Sequence, residues 1–81
     1  MSAPFVIAEL TRNARERVRV ALEEWHGQPR LDIRTTTRIT EATDIWSPTK
    51  KGISLSVTLI PVLRQALADA EAKARELGLI E

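Results

Sequence analysis

Residues 48–56, with the sequence PTKKGISLS, place two adjacent lysines and a glycine at the start of a short alternating stretch. Ile53 and Leu55 alternate with serines, and this period of two predicts a strand with one face towards a core. Gly52 has no side chain, so the backbone there can turn sharply or be approached closely by another segment. The stretch therefore predicts a strand, about 51–56, with a basic entrance.

The residues that follow this strand predict one amphipathic helix over about 57–77, because their apolar positions recur with a period near 3.6. Pro61 requires the helix to begin only a few residues earlier, since proline fits only in the first turn. Gly78 is typical of a helix end. About twenty residues give roughly 30 Å of helix, so we expect the helix to cover the sheet and part of a second copy.

The composition is that of a single small domain, residues 1–81, with 43% hydrophobic and 28% charged residues. So short a chain buries a limited core, which favours oligomerisation. The absence of cysteine excludes disulfides and thiolate metal sites, and one histidine argues against a histidine metal cluster. The carboxylates form no recognisable acid–base arrangement, so we expect no enzyme activity, no cofactor and no metal.

The N-terminus lacks the pattern of a signal peptide, and no apolar run reaches the roughly 18 residues of a membrane span. These features predict a cytoplasmic protein with no membrane partner. The net charge is only +1, but residues 1–56 hold 9 Lys/Arg against 7 Asp/Glu, while residues 57–81 hold 3 against 4. The front part is therefore locally basic.

Two further stretches show strand patterns. Leu31 and Ile33 alternate with polar residues, and the threonines that follow favour extended backbone. Phe5 and Ile7 share one face of a plausible edge strand. The predicted strands are about 4–10 and 29–38, and residues 40–49 are polar and predict a loop.

Residues 11–25 fit two interpretations. As a helix, Ala14, Val18, Leu22 and Trp25 fall on one stripe, and the many Ala, Arg, Glu and Leu residues slightly favour this form. As a strand, valines and Leu22 form one face and arginines the other. On the strand interpretation, residues 25–28 form a hairpin turn centred on Gly27. Periodicity alone leaves both open.

LDIR at residues 31–34 and KKGISLS at residues 50–56, separated by a polar loop, resemble the transcriptional coactivator p15 family, also called positive cofactor four. The resemblance covers about residues 5–74 and is closest to the short bacterial or phage type. It implies an α+β fold, with a curved four-stranded antiparallel sheet, one long C-terminal helix and a homodimer. It also implies that residues 15–25 form a strand.

The resemblance further implies that single-stranded DNA binds to the sheet face away from the helix, without strong sequence preference. Trp25 falls on the family aromatic that stacks on a base, and Arg34 on the strand arginine that contacts DNA. Lys50 and Lys51 fall on the basic pair before GISL. His26 lies in the hairpin loop, where other members often carry lysines.

His26 is one departure from the family pattern. A second departure is Thr37, which stands where the family has another aromatic residue. Trp46, in the following loop, is the candidate substitute. The strand alternation independently places arginines, threonines and a tryptophan on one face, and cationic grooves with aromatic platforms bind single strands. The candidate nucleic-acid-binding residues are Arg17, Arg19, Trp25, His26, Arg34, Thr36, Trp46, Lys50 and Lys51.

Glu23 and Glu24 beside Trp25 argue against a uniformly basic surface, and we expect them to pair with arginines when nucleic acid is absent. The leading hypothesis is a non-catalytic, homodimeric single-stranded DNA-binding protein that acts in transcription regulation, replication or repair. The choice between DNA and RNA stays open, as do transcription or repair proteins as partners. A bacterial source would make the protein nucleoid-associated.

Two alternatives remain. The first is a helical regulator that binds duplex DNA, with residues 11–25 as a basic helix. The second is a protein-interaction module that kept the fold and lost nucleic-acid binding, which Thr37 and the low net charge keep open.

Overall fold

The computed structural model describes residues 4–81 as a four-stranded antiparallel sheet followed by one C-terminal helix. The sheet order β1-β2-β3-β4 is the sequence order, and a short 3-10 turn, Val57–Leu59, leads into the helix. This architecture confirms the predicted α+β fold. The strands are β1 (Phe5–Thr11), β2 (Glu16–Trp25), β3 (Gln28–Arg38) and β4 (Trp46–Ser56), and the helix is α1 (Ile60–Glu76).

Strand β2 occupies the segment for which periodicity allowed both helix and strand. It pairs antiparallel with β1 along one side and with β3 along the other. Cross-strand pairing and burial outweigh a small difference in intrinsic propensity, which is why the helix-forming residues here adopt extended backbone. The helical interpretation, and with it the helical duplex-DNA regulator, is therefore wrong.

A two-residue turn joins β2 to β3. His26 has φ 49° and Gly27 has φ 77°, while Trp25 pairs with Gln28. Positive φ at both central residues is the requirement of the type I′ hairpin, whose twist matches that of the flanking strands. The turn is therefore centred where the strand interpretation predicted it.

Strand β4 begins at Trp46, within the stretch predicted as a loop, so the connection from β3 is shorter than residues 40–49 suggested. Between the pairs Arg34–Gly52 and Thr36–Pro48, β4 holds residues 49–51 where β3 holds only Thr35. This extra length forms a bulge, which locally bends a strand. The sequence missed the early start because Pro48 is atypical of a strand, although an edge strand tolerates proline.

One face of the sheet is apolar and faces α1. Between them lies an open groove with a volume of about 410 Å³. No residue of α1 is buried, and Leu67 is 61% exposed although it lines this groove. In one copy of the chain, α1 therefore covers the sheet only partly. The groove residues are Ile7, Val20, Leu22, Leu31, Ile33, Ile60, Leu63, Arg64 and Leu67.

Within residues 4–81, no helix has both the length and the apolar character that crossing a membrane requires.

Candidate nucleic-acid interface

The sheet face opposite α1 is polar, and we call it the arginine face. Strand alternation brings its side chains to one side, and the register sets Arg17 beside Thr36 and Arg19 beside Arg34. On the other side of β3, Arg38 lies opposite Trp46 of β4, so the arginine face extends to β4. Its residues include Arg17, Arg19, Glu23 and Trp25 from β2, Arg30, Asp32, Arg34, Thr36 and Arg38 from β3, and Trp46, Pro48, Lys50 and Ser54 from β4.

Asp32 lies at the centre of the arginine face and is only 1% exposed. The Nε–H of Arg34 donates to both Asp32 carboxylate oxygens at 3.1 Å, and Nη2 donates to Oδ1 at 2.8 Å. This hydrogen bonding raises the pKa of the Arg34 guanidinium above its ordinary value. Nη2 of Arg19 lies 3.6 Å from Oδ2 of the same carboxylate. One buried carboxylate therefore holds the guanidinium of Arg34 by hydrogen bonds and forms an ion pair with that of Arg19.

Arg34 also connects β3 to the bulge of β4. Its Nη1 donates to the backbone oxygen of Thr49 at 2.9 Å, and the Thr49 hydroxyl donates to the backbone oxygen of Thr35 at 2.8 Å. The bulge that carries Lys50 is thus held against the guanidinium of Arg34. A guanidinium has five N–H groups, so Arg34 keeps donors for a ligand.

A cavity of about 630 Å³ opens on the arginine face and brings Trp25, Arg34 and Lys50 together. Trp25 is 68% exposed, and its ring meets the ring of His26 edge to face at a centroid distance of 4.6 Å. An exposed indole beside two cations can stack on a base while phosphates are neutralised. The lining residues are Arg19, Glu23, Trp25, Arg34, Pro48, Thr49, Lys50 and Ser54.

Trp46 lies on the arginine face but outside the lining of this cavity. The guanidinium of Arg17 lies 4.0 Å from the centroid of the Trp46 ring, and that of Arg38 lies 5.9 Å away. The Trp46 Nε1–H donates to Asp44 at 2.9 Å, which lowers the pKa of the Asp44 carboxyl below its ordinary value. Arg17 therefore covers one side of the indole by a cation–π contact.

The remaining predicted contacts are less well placed. Thr36 is only 3% exposed, which argues against its predicted contact with nucleic acid. Lys51 is exposed, but it is not among the residues lining the cavity, unlike Lys50. Thr37 follows Thr36 and so lies on the opposite face of the sheet. Trp46, and not position 37, supplies the second aromatic side chain of the arginine face.

Carboxylates accompany the β2 arginines. Glu23 accepts from Arg19 at 3.2 Å, which is one of the pairs expected from the sequence, and Arg17 pairs with Glu9 at 3.4 Å. The sequence allows Asp32 or Glu23 as a partner for Arg34, but it did not indicate that Asp32 also serves Arg19. The alternation had already placed Asp32 on the same face as Arg34, and this was the signal that could have found it.

Within the described part of the chain, residues 4–81, no three or more His, Cys, Asp or Glu side chains are grouped as a metal site.

Comparison with protein families identifies one matching family model, Transcriptional Coactivator p15 (PC4), over residues 12–66. The matched region contains β2, β3, β4 and the first part of α1. It therefore includes every residue that lines the 630 Å³ cavity. A search of curated proteins gave no significant match.

Solved structures show the same fold. A PC4 homologue from Burkholderia pseudomallei K96243 in a tetragonal crystal form matches with a TM-score of 0.73 and 25% identity, covering 85% of this chain and 98% of that chain. Its orthorhombic form gives 0.76 and 24%, covering 88% and 93%. The bacteriophage T5 homologue of the eukaryotic transcription coactivator PC4, implicated in recombination-dependent DNA replication, gives 0.59 and 26%, covering 95% and 90%.

Proposed function

Because the chain belongs to the transcriptional coactivator p15 (PC4) family, we propose that it is a non-catalytic protein that binds single-stranded DNA on the arginine face. Binding is largely independent of sequence, since phosphates and base stacking supply most of it. The observation that carries the proposal is the cavity in which an exposed Trp25 meets Arg34 and Lys50.

The two sides of this cavity suit the two parts of a nucleotide. Trp25 offers an exposed indole, and stacking is typically worth about 1–3 kcal/mol per base. Arg34 and Lys50 offer cations for the phosphate, and Arg34 is already held in place by Asp32. A side chain fixed in this way loses less conformational entropy when it binds a ligand.

We further propose that the protein works as a homodimer. The apolar groove beside α1 is open, and within residues 4–81 only Ala21 and Leu31 are buried apolar residues. So small a core is a weak source of stability for one chain, and a second copy would bury the exposed Leu67 and Val62.

The proposed setting is DNA metabolism in the cytoplasm, as transcription regulation, replication or repair. The T5 homologue is implicated in recombination-dependent DNA replication. A comparable role for this chain would need the proposed binding of exposed single-stranded DNA. Transcription or repair proteins would be its further partners, and RNA is a second single-stranded ligand that the cavity would accept.

A protein-interaction module without nucleic-acid binding is the second candidate. It is favoured by the ion pairs of the arginine face, in which Arg17, Arg19 and Arg34 each have a carboxylate partner. On this alternative the arginines are structural, and the exposed indole of Trp25 contacts a protein.

The two candidates are separated by titrating a labelled oligo-dT and a matched duplex into the protein at several salt concentrations. The proposal predicts binding to oligo-dT in preference to duplex, with a slope of log affinity against log salt of about −0.7 for each neutralised phosphate. Absence of binding at low salt, or a preference for duplex, would contradict the proposal. Absence of binding to either probe would support the protein-interaction module.

A further inference from the structure

We propose that Glu23 makes the Trp25 cavity selective among bases, favouring guanine, then cytosine and adenine, and disfavouring thymine and uracil. The inference rests on the proposed function, because it concerns the base that stacks on Trp25. It adds a base preference at one nucleotide of the bound DNA, while binding is otherwise independent of sequence.

Glu23 and Trp25 are two positions apart on β2, so both side chains point to the arginine face, and both line the cavity. The Glu23 side chain is 36% exposed, so a ligand in the cavity can reach it. Arg19 Nη2 donates to Oε1 of Glu23 at 3.2 Å. Within residues 4–81, no hydrogen bond to Oε2 of Glu23 is found. One acceptor oxygen therefore remains available beside the stacking platform.

The carboxylate of Glu23 is held in position by Arg19, on the same face of the sheet. Its partner Arg19 has a side chain that is mostly buried, and Nη2 of Arg19 also lies 3.6 Å from the buried carboxylate of Asp32. Asp32 thus orients Arg19, and Arg19 orients Glu23. A group fixed in this way discriminates between ligands better than a mobile surface carboxylate, because it cannot move to accommodate a mismatched base.

A carboxylate only accepts hydrogen bonds. The exposed Watson–Crick edge of guanine offers an imino and an amino donor side by side, and cytosine and adenine each offer one amino group. Thymine and uracil offer one imino donor between two carbonyl oxygens, whose lone pairs repel a carboxylate. Bases of single strands are recognised on these edges while they stack on aromatic rings, and Glu accepts from the cytosine amino group in duplexes.

The charge distribution also sets the orientation of the nucleotide. Glu23 repels a phosphate, whereas Arg34 and Lys50, from β3 and β4, attract it. The cavity therefore has an aromatic and acidic side on β2 and a basic side on the neighbouring strands. A nucleotide enters with its base towards Trp25 and Glu23 and its phosphate towards Lys50.

The test compares the affinities of oligo-dC and oligo-dT of equal length, together with an oligo-dT that carries one guanine. With the unmodified protein we expect oligo-dC and the guanine probe to bind roughly threefold to tenfold more tightly than oligo-dT, since one partly exposed hydrogen bond to a charged group is added. Cytosine and thymine are both pyrimidines, so their difference in stacking is small.

Glu23→Gln removes the charge but keeps the shape, and its amide can both donate and accept. We expect the ratio of oligo-dC to oligo-dT affinity to fall close to one. Glu24→Gln is the matched control, since it removes the same charge at the next residue, on the opposite face of β2. It should leave the ratio unchanged, even if both variants bind all strands somewhat more tightly.

The outcomes separate the two proposals. Equal affinity of the unmodified protein for oligo-dC and oligo-dT would overturn the base preference and leave the proposed function intact. If the base preference persists in Glu23→Gln, then Glu23 does not cause it and the proposal is wrong. Failure of every oligonucleotide to bind would overturn the proposed function itself, and the base preference with it.

Discussion

At the scale of single residues, Asp32 is the residue on which the arginine face is built. A buried carboxylate between Arg34 and Arg19 compensates two positive charges that would otherwise repel each other across neighbouring strands. It also fixes the plane of the Arg34 guanidinium through short hydrogen bonds, while Arg19 lies within ion-pair distance of it. The face is therefore preorganised, and its free charge is much smaller than its number of arginines suggests.

We expect Asp32→Asn to destabilise the protein by about 2–4 kcal/mol, because it leaves two partly buried guanidinium groups without their shared carboxylate. Denaturant unfolding measures this change. Asp69→Asn is the control, since Asp69 accepts only an exposed hydrogen bond from Gln65 on α1, and its effect should stay within about 0.5 kcal/mol. Equal unfolding midpoints for the two variants would show that Asp32 does not hold the arginines.

In the proposed function, base stacking depends on Trp25. Trp25→Ala should weaken binding of oligo-dT about tenfold or more, since one stacking platform is lost, and Trp25→Phe should retain much of the affinity. Because the indole is largely exposed, the thermal midpoint should change little. If Trp25→Ala instead lowers the thermal midpoint while the folded protein still binds oligo-dT with unchanged affinity, Trp25 serves packing and not stacking.

Gly52 is required by the close approach of β3. A Cβ at this position would lie 2.5 Å from the backbone oxygen of Ile33 and 2.8 Å from the Cα of Arg34. Backbone atoms cannot move aside as a flexible side chain does, so Gly52→Ala should cost about 1–3 kcal/mol of stability. Urea unfolding tests this, and an unchanged midpoint would mean that β4 shifts without penalty.

At the scale of elements, the arginine face depends on how β4 pairs with β3. The bulge at residues 49–51 shifts the register of β4 by two residues, so that Pro48 lies opposite Thr36 and Trp46 lies opposite Arg38. The same bulge presents Lys50 to the cavity. Because the shift is an even number of residues, it leaves the alternation of faces unchanged, with Ile53 on the apolar face and Trp46 on the polar face.

The sequence pattern of the helix α1 predicts more burial than the helix has in a single chain. Its apolar stripe is that of a helix with one buried face, but no residue of α1 is buried in a single chain. Ile60, Leu63 and Leu67 line the groove without filling it. The open apolar side of α1 is the surface that the proposed homodimer would cover.

At the scale of the whole molecule, the proposed homodimer makes stability depend on concentration. Sedimentation should give twice the 9.1 kDa chain mass, and the thermal midpoint should rise with protein concentration. Leu67→Glu, which places a charge in the apolar groove, should shift the protein to monomer or lower its midpoint. A species of 9.1 kDa at every concentration, with a constant midpoint, would contradict the dimer.

The local patterns of the chain were sufficient for most of the fold. Alternation over residues 29–38 and 51–56, the Gly27 turn and the stripe after residue 57 each depend on neighbours within a few positions, and those are visible in sequence. The two motifs LDIR and KKGISLS, with their spacing, were sufficient for the family. They also supported a strand at residues 15–25, where periodicity alone was ambiguous.

Tertiary structure decided what depends on neighbouring strands. Pairing on both sides made β2 a strand, and the register shift at the β4 bulge set Trp46 opposite Arg38, with the guanidinium of Arg17 over its ring. Burial turned Asp32 from one acid among several into the anchor of two arginines. Charge compensation and burial arise between residues that are distant in sequence, so the local pattern that specifies a strand does not specify its partners.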